Sequence, residues 1–281
     1  MTKIQTSIAL VCPGGQITKE LAEKTAGIAA VRFGDRVKLH FHPQCFSVAG
    51  HFAGSDAERS AAFLEVANDP QYDAVWFARG GYGACRLDGN LFRKLNEHAR
   101  AKTYFGYSDN GTLLARLYKE SIGRPVHGPI PTDLAREGGE EAIARSLSFL
   151  ADGNPSTLEP TVRSGKKLVA FNITVLAHLV ATDWMPDLSG HVIMLEDVGE
   201  YHYRIDRAMF AIMANAGLRR AEGIMLGRVS DIPENDRPFG QTEEELVKDW
   251  CARACVPYLG RADIGHDAGN KIVPFGAFNA A

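Results

Sequence analysis

Apolar and polar positions alternate along the first half of the chain in two periods, one of strands and one of helices. Residues 7–12 form a short apolar run that stops at Pro13-Gly14-Gly15, while residues 18–33 repeat their apolar positions at helical intervals. Residues 37–41 alternate apolar with polar or basic side chains, as a half-buried strand does. Ser55-Asp56-Ala57-Glu58 reads as a capping box opening a helix through Val66. Residues 74–78 are buried-strand material followed by Arg79-Gly80-Gly81-Tyr82-Gly83; 91–98 are helical, 103–107 a strand and 112–118 a helix. Repeated βα units predict an α/β fold with a parallel sheet covered on both faces. Ligands of such sheets sit at the carboxyl ends of the strands, here the loops after Ala78 and Tyr107.

Residues 152–167 interrupt the rhythm with Gly153, Asn154, Pro155, Pro160 and Gly165, which marks a linker between residues 1–151 and 168–281. Beyond it, strands are expected at 168–171, 191–195, 223–226 and 271–275, with helices at 172–181, 204–216 and 242–254. The second unit therefore reads as a smaller mixed α/β domain.

Composition removes several classes of function. The chain has 281 residues, 45% hydrophobic and 23% charged, as globular proteins do. A net charge of −3 supplies no basic field for nucleic acid or anionic lipid. No apolar run approaches the roughly 18 residues of a membrane span. The start, with Lys3 and then Ile8 to Cys12, is too short for an export signal and reads as a first strand. Five scattered cysteines make no disulfide framework, so a cytoplasmic location is expected.

Candidate chemistry begins with what is missing. No P-loop is present, and Gly81-Tyr82-Gly83 lacks the third glycine of a dinucleotide fingerprint. His40, His42 and Cys45 lie near one another without a second ligand pair, and packing explains them better than metal. Ser108 follows an apolar strand and precedes a helix, a position that suits a nucleophile elbow and a helix N-cap equally. The glycine loop 79–83 reads either as a tight turn or as backbone N–H groups offered to a ligand. Glu196 stands at the tip of the 191–195 strand, close to Asp197, Glu200 and Asp206, and His266 lies in a loop flanked by glycine. A lone loop histidine ordinarily faces solvent, so spacing alone leaves a Ser–Glu–His set open.

At these residues the chain resembles the LD-carboxypeptidases, the muramoyltetrapeptide carboxypeptidase family of serine peptidases. The resemblance is carried by Ala53-Gly54-Ser55-Asp56-Ala57-Glu58-Arg59, Asp73 to Trp76 running on to Gly83, Gly106-Tyr107-Ser108-Asp109, His127-Gly128-Pro129, Leu195 to Glu200 with Tyr203 to Arg207, and Gly265-His266. It implies a Rossmann-like N-terminal domain, a smaller C-terminal domain and an active site in the cleft between them. It also implies Ser108 as nucleophile, Glu196 and His266 as relay partners, and backbone N–H groups of Gly81 and Asp109 as oxyanion donors. No cofactor and no metal are implied, and a homodimer is. The implied reaction hydrolyses an L,D-peptide bond, releasing terminal D-alanine from the tetrapeptide of recycled murein. Arg79 or Arg204 would grip the free carboxylate as a bidentate fork, with Tyr82 and Asn172 completing the expected substrate contacts.

Two departures from the family pattern stand out. Ala170-Phe171 replaces the usual glycine pair before Asn172, which is expected to put bulk where a ligand or the other domain's backbone approaches. Asn110-Gly111 replaces the commoner Ile-Thr after the nucleophile. Two alternatives stay open: a microcin C self-immunity type hydrolase of acyl-sulfamoyl adenylates, and a non-catalytic module that holds a small ligand.

Overall fold

Strand β1 (Thr6–Val11) buries its last four residues completely, as a central strand of a doubly covered sheet must. In the computed structural model, which describes residues 5–278, it is flanked in parallel by β2 (Val37–Phe41) and β3 (Ala74–Phe77). Parallel pairing continues through β4 (Thr103–Gly106) to β5 (Arg124–His127). The crossovers are α1 (Lys19–Phe33), α2 (Asp56–Asn68), α3 (Glu97–Ala101) and α4 (Gly111–Lys119), and α5 (Gly139–Asp152) follows β5. The predicted capping box is present: Ser55 and Glu58 cap each other's backbone at the start of α2.

The strand order 2-1-3-4-5 places the switch of direction between β1 and β3. Their following loops pack against each other without space for side chains: a Cβ on Gly14 would sit 2.4 Å from the Gly81 carbonyl oxygen, and one on Gly83 2.9 Å from Gly14 Cα. The ligand end of the sheet is thus built by close backbone approach.

After α5 come two 3₁₀ turns, Pro155–Thr157 and Pro160–Ser164, within the expected linker. The second sheet is parallel through β6 (Lys167–Asn172), β7 (Val192–Val198), β8 (Gly223–Ser230) and β9 (Tyr258–Arg261). Its helices are α6 (Ile173–Leu179), α7 (His202–Ala214) and α8 (Glu243–Ala254). One apolar core runs from Leu10 and Trp76 of the first sheet through Leu168 and Met194 of the second to Ile264 and Val273.

Several expectations need correction. The 91–98 helix is a 3₁₀ segment, Gly89–Lys94, followed by the short α3, with Asn96 capping the latter through its side chain. The 191–195 strand continues to Val198, so Glu196 lies inside β7 and not at its tip. Residues 271–275 do not form one strand of the second unit. Val273–Pro274 form β10, antiparallel to β5 in the first sheet, while Gly276–Ala277, just beyond the expected strand, form β11, antiparallel to β6 in the second. Residues 273–277 thereby join both halves. Lys3 lies outside the described residues; among those described, no helix is long and apolar enough to cross a membrane.

Candidate active site

Ser108 takes a left-handed backbone, φ 60°, directly after the extended Tyr107. For an L residue with a side chain this conformation costs on the order of 1 kcal/mol and persists only where neighbours determine it. They do so on both sides. The buried Tyr107 donates its hydroxyl to Asp133 Oδ1 at 2.7 Å. Asn110 Nδ2 donates to the Arg79 carbonyl at 3.0 Å, while Asp109 Oδ2 accepts from the Gly83 and Ala84 N–H groups at 3.1 and 2.8 Å. The serine turn is therefore tied to the glycine loop after β3. That loop needs glycine nearest the hydroxyl, because a Cβ on Gly80 would come within 3.0 Å of Ser108 Cβ and 3.2 Å of its Oγ. Among the described residues, neither the Gly81 nor the Asp109 N–H donates to a protein acceptor.

Glu196 reaches the same place from the second half. The β7–β8 register shifts between Leu195 and Asp197, where Glu196 alone stands opposite two β8 residues, Gly227 and Arg228. Glycine on the neighbouring strand gives it room: a Cβ on Gly227 would sit 3.2 Å from Glu196 Cβ. Glu196 is fully buried, and its Oε2 lies 2.5 Å from His266 Nδ1. On the other edge of the imidazole, Nε2 lies 3.0 Å from Ser108 Oγ. A hydroxyl, an imidazole and a carboxylate from three distant parts of the chain thus form one hydrogen-bonded line, with His266 only 5% exposed.

The surroundings tune this line. Burial opposes a proton on His266, but the Glu196 charge and hydrogen bond, with Asp133 beyond, outweigh it and hold the pKa above the ordinary value. Glu196 Oε1 has no partner among the described residues, so the imidazole is the main compensation for that buried charge. Next to it, burial and the Glu196 charge push the Asp197 carboxyl up to about 6. Tyr107 packs its ring 4.7 Å from that of His266 and 5.4 Å from that of His127. Complete burial drives His127 down to about 4, and its Nε2 lies 3.1 Å from Asn270 Oδ1.

The other expected contacts divide. Tyr82 is 53% exposed and lines a cavity of about 580 Å³ together with Asp109, Thr112, Val175, His178 and Trp184. Arg204 lines an adjoining cavity of about 560 Å³ that also includes His178. Arg79 is exposed but donates to the Gln16 carbonyl at 2.7 Å, which holds its side chain over the Gly15 backbone. Both ends of the Asn172 amide are engaged: Nδ2 donates to Asp197 Oδ1 at 2.7 Å, and Oδ1 caps α6 by accepting from the Val175 N–H. Asn172 stands opposite Glu196 in register and braces the residue beside it.

Phe171 does not project toward a ligand. It is buried, with its ring 5.2 Å from that of Phe275 and 3.4 Å from where a Gly111 Cβ would sit. The two departures from the family pattern are one exchange of volume, a large ring filling the space of an absent side chain. His40, His42 and Cys45 are used locally: His40 packs on Tyr72, His42 Nδ1 accepts from the Gln44 N–H, and Cys45 Sγ donates to the Leu10 carbonyl.

Asp133, Thr174 and the bracing role of Asp197 escape a reading of the sequence. Thr174 donates from both its N–H and its hydroxyl to Asp197 Oδ2. No local motif marks Asp133, whose partner Tyr107 lies 26 residues away.

Comparison with known proteins follows the same division of the chain. Residues 8–128 match the LD-carboxypeptidase N-terminal domain and residues 166–279 the LD-carboxypeptidase C-terminal domain. A Synechocystis sp. protein provisionally named a carboxypeptidase is 32% identical over 96% of this chain and 89% of its own. The murein tetrapeptide carboxypeptidase of Pseudomonas aeruginosa is 27% identical over 97% and 92%. Among solved structures, muramoyltetrapeptide carboxypeptidase from Oxalobacter formigenes superposes with a TM-score of 0.79 at 24% identity, covering 96% of this chain and 93% of its own. The microcin C7 self immunity protein MccF superposes at 0.78 and 16% identity, covering 98% and 92%. At these identities the two structures establish the shared fold.

Proposed function

The chain belongs to the LD-carboxypeptidase family, and from that premise we propose that it is a serine carboxypeptidase releasing terminal D-alanine from murein tetrapeptides by hydrolysis of the L,D-peptide bond. The observation that carries this reading is the continuous line Ser108 Oγ, His266 Nε2, His266 Nδ1, Glu196 Oε2, with contacts of 3.0 and 2.5 Å.

In this reading His266 Nε2 takes the Ser108 proton as Oγ attacks the carbonyl carbon before D-alanine. The resulting imidazolium is stabilised by Glu196, which also fixes the proton on Nδ1. The tetrahedral oxyanion is received by the N–H groups of Gly81 and Asp109, each such donor typically contributing about 3 kcal/mol to lowering the barrier. His266 then protonates the amine of D-alanine as the C–N bond breaks, leaving an ester on Ser108. Water, deprotonated by His266, hydrolyses that ester and restores the hydroxyl.

A binding module has no use for a strained serine aimed at a buried imidazole–carboxylate pair. The microcin C likeness carries the fold and no substrate. A cytoplasmic location and a homodimer go with the family reading, and sedimentation checks the latter. The direct test is D-alanine release from a murein tetrapeptide by Ser108→Ala and His266→Ala: both are expected to lose activity, and near-wild-type release by either would overturn these roles.

A further inference from the structure

Arg59 of α2 has no part in the proton path, yet it is among the most deeply buried side chains of the molecule, 1% exposed. Its one carboxylate partner among the described residues is Asp56, a turn earlier, which it shares with Arg86. Its Nε has no acceptor among the described residues. A buried guanidinium with an idle N–H costs stability, and an apolar residue of similar volume would pack α2 without that cost. The charge is explained by something that only a donor can do.

Nη1 does it. This nitrogen donates to the Gly83 carbonyl, in the loop after β3, at 2.8 Å, and to the Pro13 carbonyl, in the loop after β1. These are the two loops that meet without room for side chains, Gly14 against Gly81. The Phe52 ring covers the cation, with the guanidinium carbon 4.7 Å from its centre, and lies 3.0 Å from where a Gly83 Cβ would sit. The Gly83–Ala84 peptide unit is held at both ends. Its carbonyl accepts from Arg59 and its N–H donates to Asp109 Oδ2 at 2.8 Å, so one polarised amide links a guanidinium to a carboxylate. Burial pushes the Asp109 carboxyl up, while the Ala84 and Gly83 N–H groups and the Arg59 charge work against it. Arg59 thus stands behind both groups proposed to receive the oxyanion, the Gly81 N–H through the loop and the Asp109 N–H through the amide.

We infer that Arg59 is a positioning residue for the oxyanion site: by holding the Pro13 and Gly83 carbonyls it fixes where the Gly81 and Asp109 N–H groups point. The inference rests on the carboxypeptidase reading and deepens it by naming what aims the oxyanion donors. Donors aimed at a charge that exists only in the transition state act on kcat and leave ground-state binding alone.

The test compares wild type with Arg59→Met and Arg59→Lys in D-alanine release from a murein tetrapeptide, with folding followed by circular dichroism. Arg59→Met, which cannot donate, is expected to lower kcat about a hundredfold, as loss of one oxyanion donor does, with KM within about threefold of wild type. Arg59→Lys keeps a cation and its donors without the planar fork, and is expected to recover about tenfold of that loss. A residue that merely packs would neither separate kcat from KM nor be rescued by lysine. Wild-type kcat in Arg59→Met, a loss carried by KM, or lysine no better than methionine overturns the inference and leaves the carboxypeptidase reading in place. If Arg59→Met does not fold, Arg59→Lys decides alone: kcat about tenfold down at unchanged KM supports the role, and wild-type kcat overturns it. If the wild-type protein releases no D-alanine, the parent reading fails. Labelling of Ser108 by an alkyl fluorophosphonate then decides, because its phosphoryl oxygen takes the oxyanion position. Labelling about tenfold slower in Arg59→Lys than in wild type supports the role, while equal rates, or no labelling of wild type, overturn it.

Discussion

Glu196→Gln removes one negative charge from the relay while keeping the length and shape of the side chain. The carboxylate is fully buried with Oε2 2.5 Å from His266 Nδ1, so the two groups interact with little solvent screening. A unit pair about 4 Å apart between charge centres is worth about 4 kcal/mol at an effective dielectric of 20, or about a thousandfold in rate when the charge develops only in the transition state. The amide adds a second loss. If its NH₂ faces Nδ1, the imidazole proton moves to Nε2, where it points at Ser108 and cannot accept the hydroxyl proton. The expected fall in kcat is on the order of 10⁴. D-alanine release followed from pH 5 to 9 separates these effects from unfolding. His266 acts as a base when neutral, so wild-type activity falls as pH drops through its pKa, which lies above 6.5 because Glu196 holds it there against burial. In the glutamine variant burial acts unopposed by Glu196, and the residual activity's acid limb moves to lower pH. A variant within about tenfold of wild type at pH 7, or one whose acid limb stays in place, would refute this relay.

Three further outcomes follow from the same geometry. Ser108→Ala and Ser108→Gly are both expected to be inactive, yet the glycine protein should be more stable by about 1 kcal/mol, because only glycine adopts φ 60° without strain; urea unfolding in which alanine is the more stable contradicts a strained serine. Gly80→Ala, whose Cβ would press on Ser108 at 3.0 Å, should lower kcat by about a hundredfold with little change in KM, and unchanged kcat shows the loop is not seated against the nucleophile. His127, held down to about 4 when folded against an ordinary 6.5, stays neutral in the fold while the unfolded chain protonates, so its contribution is intact above 6.5 and is lost as pH falls toward 4. Between pH 7 and 5 that loss is about 2 kcal/mol. Asp197, raised to about 6, acts in the opposite sense, so the readout is the difference between wild type and His127→Gln in urea unfolding at the two pH values; identical pH dependence of the pair would contradict a buried neutral His127.

The βα rhythm of the first half was legible because each element satisfies a local rule. Ser55 and Glu58 cap α2, and the all-apolar 74–77 run becomes a strand buried on both faces. The second half is less local. Residues 271–275 carry one apolar pattern, yet Val273 and Pro274 pair with the first sheet and the next two strand residues, Gly276 and Ala277, with the second, edges that only the folded molecule brings together. Glu196 reads as a strand-end residue because charged side chains rarely sit inside a buried strand, and what allows it there is a bulge and Gly227 on the next strand. Ser108 and His266 are visible as individual residues. Their partnership is not visible from spacing, since 158 residues separate them and nothing local couples a loop histidine to a distant turn. The resemblance implies Asn172 as a substrate contact, and in the fold both ends of its amide are engaged by Asp197 and the α6 cap.

The segment carrying His266 is fixed from both halves of the molecule, and this bears on what substrate binding must accomplish. Arg145 of α5 donates to the carbonyls of Ala268 and Asn270 at 2.7 and 2.9 Å, which anchors the loop to the first half. Asn270 Oδ1 meets His127 Nε2 at the end of β5 and also accepts from the Gly265 N–H. From the second half, Arg228 of β8 grips Asp263 and Asp267 on either side of the histidine. Ile272 pairs its backbone with Thr157 and Glu159, and β10 then joins the first sheet. Withdrawing His266 from Ser108 by opening the halves would break these bonds together with the shared apolar core, several kcal/mol of interactions that fail as a set. Ser108, His266 and Glu196 therefore stand assembled before substrate arrives. The side chains that face open space are elsewhere, Tyr82 on one cavity and Arg204 and Arg207 on the other, away from the hydrogen bonds that hold the His266 loop.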